Sequence, residues 1–203
     1  MAGPEEPLDE HTVDPDPLVQ FGRWFDDAVE VSEQAEAMAL ATAGVDGRPS
    51  VRMVLLKGWG AEGFTFFTNY DSRKGHDLTA NPVASLLFYW QPLGRQIRID
   101  GSVATTSDDE SDAYFATRPL GSRIGAIASH QGQTIDSRAQ LHTRAADLRA
   151  TLDGEAVPRP PWWGGFRLRP TAFEFWQHGA DRLHDRVRYL ADHQSWRIDR
   201  LQP

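Results

Sequence analysis

The chain has no cysteine among its 203 residues. That excludes disulfides, thiolate metal sites and cysteine nucleophiles together. No apolar run approaches the ~18 residues of a membrane-spanning helix. The seven histidines make no H-E-x-x-H or comparable ligand spacing, so no metal is expected. There is also no G-x-S-x-G elbow to carry a hydrolase serine. Positive charge is short: 21 Lys+Arg against 29 Asp+Glu leave a net charge of −8. This speaks against nucleic acid or an anionic membrane as partner, since both need a basic face. A local basic pocket for a small phosphate stays open. Lysine is scarcest, with only Lys57 and Lys74. A site that needs a compact ammonium cannot use the planar fork of arginine, which draws attention to both. The opening run Met1-Ala2-Gly3-Pro4-Glu5-Glu6-Pro7 is acidic and proline-rich, unlike a secretory leader, so a cytoplasmic protein is expected.

What is present is 40% hydrophobic and 25% charged residues, in a length suited to one domain with a sizeable core. Residues 1–15 hold three prolines and little apolar content; they read as a flexible arm, leaving 16–203 as a single domain. Asp16-Pro17 supplies an N-cap and a first-turn proline. Leu18, Phe21, Trp24, Phe25 and Val29 then recur at helical spacing. From Ala37 the period becomes that of strands, over 38–43, 50–57, 64–68, 83–90 and 96–105, with a hairpin turn at Asp46-Gly47. Helices are predicted over 72–80, 107–118, 122–128 and 137–152. A stiff Pro158-Arg159-Pro160-Pro161 linker leads to further strands at 165–168, 172–177, 182–189 and 195–201. Antiparallel-looking strands interrupted by helices argue for an α+β, barrel-like domain.

Gly58-Trp59-Gly60-Ala61-Glu62-Gly63 fits G-x-G-x-x-G, but Phe64-Thr65-Phe66-Phe67 follows as strand, not as the helix a pyrophosphate needs. It reads as a hairpin turn. Four other segments are chemically loaded. Arg52-Met53-Val54-Leu55-Leu56-Lys57 is a strand with a cation at each end, a pattern an ordinary buried strand also shows. Ser72-Arg73-Lys74-Gly75 offers a hydroxyl, two cations and helix-start N–H groups, suited to a phosphate or to a solvated cap. Tyr114, Arg118 and Ser122 recur in steps of four; they can hold a second phosphate, or simply end a helix at Pro119. In Arg182-Leu183-His184-Asp185-Arg186 an extended backbone would put Arg182, His184 and Arg186 on one face, to meet an anion or to lie solvated on an edge. Upstream, Trp176 suits either a core or a stacking platform for a planar ring.

Taken in order, these runs resemble the pyridoxamine 5'-phosphate oxidase family, the FMN-dependent enzymes of vitamin B6 metabolism. The likeness extends from Asp16-Pro17-Leu18 to Arg197-Ile198-Asp199-Arg200-Leu201-Gln202-Pro203. It also takes in Asn69-Tyr70-Asp71 before Ser72, Leu86-Leu87-Phe88-Tyr89-Trp90, Arg95-Gln96, Ser111-Asp112-Ala113-Tyr114-Phe115 and Trp163-Gly164-Gly165. The resemblance implies an antiparallel FMN-binding split β-barrel with peripheral helices, a homodimer holding flavin at the subunit interface. It implies that the Arg52 to Lys57 run lines the flavin, with Phe67, Thr68, Arg73, Lys74, Gln96, Gln131, Gly132, Trp176 and Arg186 at the other flavin positions. By the same resemblance Lys57, Tyr114, Arg118 and Ser122 clasp the substrate phosphate. Arg182, Leu183 and His184 match the substrate-ring positions, with Arg182 and His184 as the catalytic pair that orients the substrate and assists proton removal.

The implied reaction oxidises the 4'-carbon of pyridoxamine or pyridoxine 5'-phosphate to the aldehyde of pyridoxal 5'-phosphate. Dioxygen is the acceptor and hydrogen peroxide is released; the protein supplies position and charge. Some features depart from the family pattern. The Arg- and Tyr-containing arm that usually precedes the first helix is altered, since the first arginine is Arg23 and the first tyrosine Tyr70. Gly132 stands where a serine is usual, Phe67 where a tyrosine is common and Ile127 where a tryptophan is usual. Related split-barrel flavoenzymes that oxidise dihydrophenazine intermediates, and non-catalytic flavin- or B6-phosphate-binding modules, share this frame. Retention of Lys57, Tyr114, Arg118 and Ser122 favours a phosphorylated substrate.

Overall fold

The computed structural model describes residues 7–152 and 157–203. Helix α1 (Pro17–Val31) starts where its residues dictate: the Asp16 carboxylate accepts from the Leu18 amide and Pro17 fills the first turn. Its apolar stripe buries Phe21 edge-on against Phe64 and Phe88, at centroid distances of 4.9 and 5.3 Å. Strands β1 (Ala37–Ala43), β2 (Pro49–Leu55), β3 (Gly58–Gly60) and β4 (Gly63–Asn69) follow, then α2 (Arg73–Ala80). Next come β5 (Val83–Trp90), β6 (Arg95–Thr105), α3 (Asp108–Thr117), α4 (Leu120–Ala128) and α5 (Arg138–Thr151). The chain ends with β7 (Trp163–Gln177), β8 (Asp185–Asp192) and β9 (Ser195–Arg200).

All pairings are antiparallel, in the order β2-β1-β5-β6-β7-β4-β3, with β8 on β7 and β9 on β8. The end of β2 comes back to β4, where the Lys57 amide donates to the Thr65 carbonyl at 2.8 Å. The result is a curled sheet, an α+β split barrel, with Phe66, Ile97, Ile99, Phe173 and Phe175 fully buried inside. The Gly58 to Gly63 segment is the β3–β4 hairpin, as its following strand residues require.

Three local expectations are corrected. The two strands predicted over 165–168 and 172–177 are one strand, β7. Pro170 looks like a break, but a bulge absorbs it: register jumps from Ala172 to Pro170, and Thr171 turns its hydroxyl to the Asp100 carbonyl. Opposite the bulge Gly101 is obligatory, since a Cβ there would lie 2.2 Å from the Arg169 carbonyl oxygen. The strand predicted from Arg182 begins only at Asp185, after a 3₁₀ turn over Ala180–Arg182. Finally, the segment read as a flexible arm is docked over residues 7–15, and residues 1–6 lie outside the described residues. Leu8 is buried, its amide donates to Asp185 and its carbonyl accepts from Arg200, while the Tyr189 hydroxyl donates to the Asp14 carbonyl.

One sheet face stays open. On β2, Val51, Met53 and Leu55 are exposed, and so is Tyr89 on β5. Tyr89 heads a cross-strand row through Gln96, Trp176 and Arg186, and directly opposed residues share a face. Helix α5 buries no residue fully, and only Leu141, Ala145 and Leu148 along one side are partly covered. Among the described residues no helix is long and apolar enough to cross a membrane.

Candidate functional site

A cleft of about 250 Å³ opens where the end of β2 meets β4. Met53, Val54, Leu55, Lys57, Phe67, Thr68, Lys74, Tyr114, Arg118, Gln131 and Trp163 line it. Its polar end is built by the first turn of α2. Ser72 caps this helix through the Gly75 amide, and Gly75 packs so close that a Cβ would sit 2.0 Å from the Tyr70 carbonyl oxygen. That close packing carries Lys74 into the interior. The Lys74 ammonium donates to the Ser72 hydroxyl at 3.1 Å and to the Gln131 amide oxygen at 2.9 Å, with no carboxylate of the described residues beside it. Burial, and next the neighbouring Arg52, pull its pKa from 10.5 to about 8. Arg52 itself is engaged by the Leu40 carbonyl and the hydroxyls of Thr42 and Ser50, with Asp77 at 3.9 Å. Thr68 also donates to Gln131, at 3.3 Å. Arg73 lies exposed on the outside of α2, and Leu56 points into the core.

The opposite wall is aromatic. Phe67, Tyr114 and Trp163 lie nearly parallel, with Phe67 4.1 Å from Tyr114 and 5.5 Å from Trp163. The Arg118 guanidinium sits 4.6 Å from the Trp163 ring centroid and 5.5 Å from Phe115. Its Nη1 is buried and has no hydrogen-bond partner among the described residues. Burial lowers the Arg118 pKa, which Tyr114 partly offsets. Ser122, exposed on the first turn of α4, joins Arg118 in an adjoining cavity of about 380 Å³. Lys57 is exposed at the rim, and Gly132 turns the loop behind Gln131 with φ of 90°.

The remaining expected site residues form a second cluster. Gln96, Trp176 and Arg186 share the open-face row. Two Arg186 nitrogens reach the buried Glu174 carboxylate, at 2.8 and 2.7 Å. The His184 ring lies 4.6 Å from Trp176 and its Nδ1 accepts from the Gly179 amide at 3.1 Å. Arg182 follows Asp181 in a left-handed pair, φ 65° and 53°, and makes no ion pair among the described residues. Arg182, His184 and Arg186 therefore do not line one strand face. The first two belong to a strained turn and only Arg186 to β8. Leu183 is 71% exposed.

The two clusters do not meet within one chain. Met53, in the wall of the cleft, connects to Glu174, the partner of Arg186, through the row Met53–Ala39–Leu87–Arg98–Glu174. Four strand spacings make that about 19 Å. Among the described residues no hydrogen bond or ring contact joins them. In the sequence Trp163 is only part of the run Trp163-Gly164-Gly165; its place beneath Arg118 has no local signature, because the two are brought together by the fold.

A family model described as pyridoxamine 5'-phosphate oxidase matches residues 25–152. A second, described as the pyridoxine 5'-phosphate oxidase C-terminal dimerisation region, matches residues 163–203. A pyridoxine/pyridoxamine 5'-phosphate oxidase of Bordetella petrii is 58% identical over 92% of this chain and 89% of its own. One of Rubrobacter xylanophilus is 53% identical over 97% and 91%. Among solved structures, PhzG from Burkholderia lata in complex with tetrahydrophenazine-1-carboxylic acid superposes with a TM-score of 0.92 at 36% identity, covering both chains fully. A pyridoxamine 5'-phosphate oxidase-related FMN-binding protein of Nostoc punctiforme, at 17% identity and a TM-score of 0.73 over 94% of this chain and all of its own, shares the fold. The order of elements, the cationic cleft and these matches agree: the chain belongs to the pyridoxamine 5'-phosphate oxidase family.

Proposed function

We propose that the protein is a cytoplasmic, FMN-dependent oxidase of pyridoxamine and pyridoxine 5'-phosphate, working as a homodimer. The observation that carries this reading is a single cleft with two separate cations, Lys74 and Arg118, that no carboxylate among the described residues neutralises. A buried ammonium held only by neutral oxygens, and a buried guanidinium N–H with no partner, are both incomplete without an anion. Two phosphates meet that need. Lys74, with Arg52 and Arg73 behind it, suits the FMN phosphate; Gln131 now occupies an acceptor position there. Arg118, with Lys57, Tyr114 and Ser122, suits the phosphate of the substrate.

FMN, when bound, supplies the two-electron acceptor that dioxygen reoxidises to give hydrogen peroxide. The chain's own residues bind and orient. Arg118 and Lys57 fix the phosphate end of the substrate, which sets the distance of its 4'-carbon from the cleft wall. The second cluster, Gln96, Trp176, Arg186, Arg182 and His184, serves the cleft of the partner subunit. Its separation from the cleft of its own chain and its place on the open sheet face, beside the exposed Met53, Leu55 and Tyr89, support this arrangement, as does the dimerisation region matched at residues 163–203. Arg182 and His184 then hold the substrate ring and assist the proton leaving the 4'-substituent.

The likeness to PhzG favours a second reading, oxidation of a reduced phenazine carboxylate. Arg118 together with Lys57, Tyr114 and Ser122 argues for the first, because a phenazine carboxylate brings a singly charged planar group and no phosphate to that second set of donors. Comparison of pyridoxamine 5'-phosphate with pyridoxamine on the FMN-loaded protein separates the two. The proposal expects kcat/KM to fall by about a hundredfold or more without the phosphate. Equal rates on both, or faster oxidation of a dihydrophenazine carboxylate, would sink it.

A further inference from the structure

The arginines of this protein are mostly held by carboxylates. Arg159 is clamped by Asp108 and Asp112, Arg186 by Glu174, Arg188 by Asp199 and Arg95 by Asp27. Each such clamp spends N–H donors and cancels the charge. Arg118 is held differently, by ring faces alone, at 4.6 Å from Trp163 and 5.5 Å from Phe115. A π face fixes the plane of a guanidinium while leaving its charge and all its N–H groups available. The Arg118 Nη1 is buried without a partner among the described residues; Arg123 and the carboxylate-bound Arg188 each leave an Nε so, but Arg118 alone of the three lines the cleft with Lys74.

The platform is itself rigid. Trp163 is 6% exposed, and its amide donates to the Pro160 carbonyl at 3.0 Å. Its carbonyl accepts from Arg159 at 2.8 Å. The same Arg159 reaches Asp108 and Asp112 of α3, the helix that presents Tyr114 to the cleft. Helix α3, the start of β7 and the indole are thus locked together, and Arg118 rests on that assembly.

From this geometry we infer that Trp163 is a positioning residue that selects for a dianionic group: it aims Arg118 without neutralising it. The inference rests on the reading of Arg118 as a phosphate ligand. Trp163 acts through Arg118, at the phosphate end of the cleft, so its contribution falls on phosphate affinity and not on the chemical step.

The test is a double-mutant cycle in the FMN-loaded protein with Trp163→Leu, Trp163→Phe and Arg118→Ala. Inorganic phosphate binding is measured by calorimetry, and KM and kcat are measured for pyridoxamine 5'-phosphate and for pyridoxamine. Trp163→Leu is expected to weaken phosphate and raise KM for the phosphorylated amine by about tenfold, leaving its kcat and the constants for pyridoxamine within about twofold. Trp163→Phe restores most of the loss, and neither change adds to Arg118→Ala. A fall in kcat shared by both amines, or effects that add to Arg118→Ala, would overturn the inference. If the leucine variant does not fold, the phenylalanine variant carries the cycle: an expected loss of about twofold to threefold in phosphate affinity, absent in the Arg118→Ala background. The phosphate titration needs no turnover. Failure of the wild type to oxidise either amine would refute the functional reading, while the titration still decides the role of Trp163.

Discussion

Lys74 shows how a single residue can be legible by rarity and informative by burial. With one other lysine in the chain, its retention at a helix start pointed to a need for an ammonium. The structure adds that this ammonium is buried and titrates near about 8. Two opposite pH slopes follow. As pH rises through about 8 the ammonium is lost, so FMN affinity is expected to fall, and Lys74→Met should both weaken FMN and flatten that profile. Stability of the flavin-free protein moves the other way. Between about 8 and 10.5 the unfolded chain holds the proton and the folded chain does not, so on account of Lys74 stability rises with pH in that window. Flavin titrations and chemical denaturation across pH 7 to 10 check both slopes. A parallel rise of the two would contradict the assignment. Trp163 is the counterexample at this scale: no spacing ties it to Arg118, because they are 45 positions apart and meet only through tertiary packing.

At the scale of elements, whatever depends on caps and periodicity was readable. Ser72, Ser107 and Ser137 each cap the helix they were expected to start, since a side-chain oxygen near a free amide is a local matter. What failed depends on backbone states that residue types do not announce. Alternating polarity continues upstream of β8, so the strand was read from Arg182, yet Asp181 and Arg182 take left-handed angles that end it at Asp185. Pro170 hid the continuity of β7 because the bulge at Thr171 that tolerates it needs room supplied by Gly101 of the partner strand. The β8–β9 hairpin shows the same trait without a function attached: His193 is held at φ 54° and its side chain is 97% exposed. Replacing it by glycine should stabilise the fold by about 0.5–1 kcal/mol and leave turnover unchanged, as thermal melts and initial rates would show. A loss of stability would mean that the histidine makes a contact in the assembled protein.

For the molecule as a whole, the sheet separates the two clusters of expected site residues. The cationic cleft and the Trp176–His184–Arg186 cluster sit four strand spacings apart along an open sheet face, and a homodimer would join them across two subunits. The sequence carried the inventory of both clusters but not their separation, which appears only once strand order and register are known. Mixed dimers test that separation. Arg118→Ala and Arg182→Ala homodimers should each be crippled, and co-refolded at equal amounts they should regain about a quarter of wild-type activity, because half the dimers are mixed and each has one intact site. No recovery would place the two clusters in the same subunit's site. The most direct test of the central claim is simpler. The FMN-loaded protein is given pyridoxamine 5'-phosphate in air, and pyridoxal 5'-phosphate and hydrogen peroxide are followed together. The account expects many turnovers with the two products in equal amounts; a protein that holds FMN yet forms neither would contradict it.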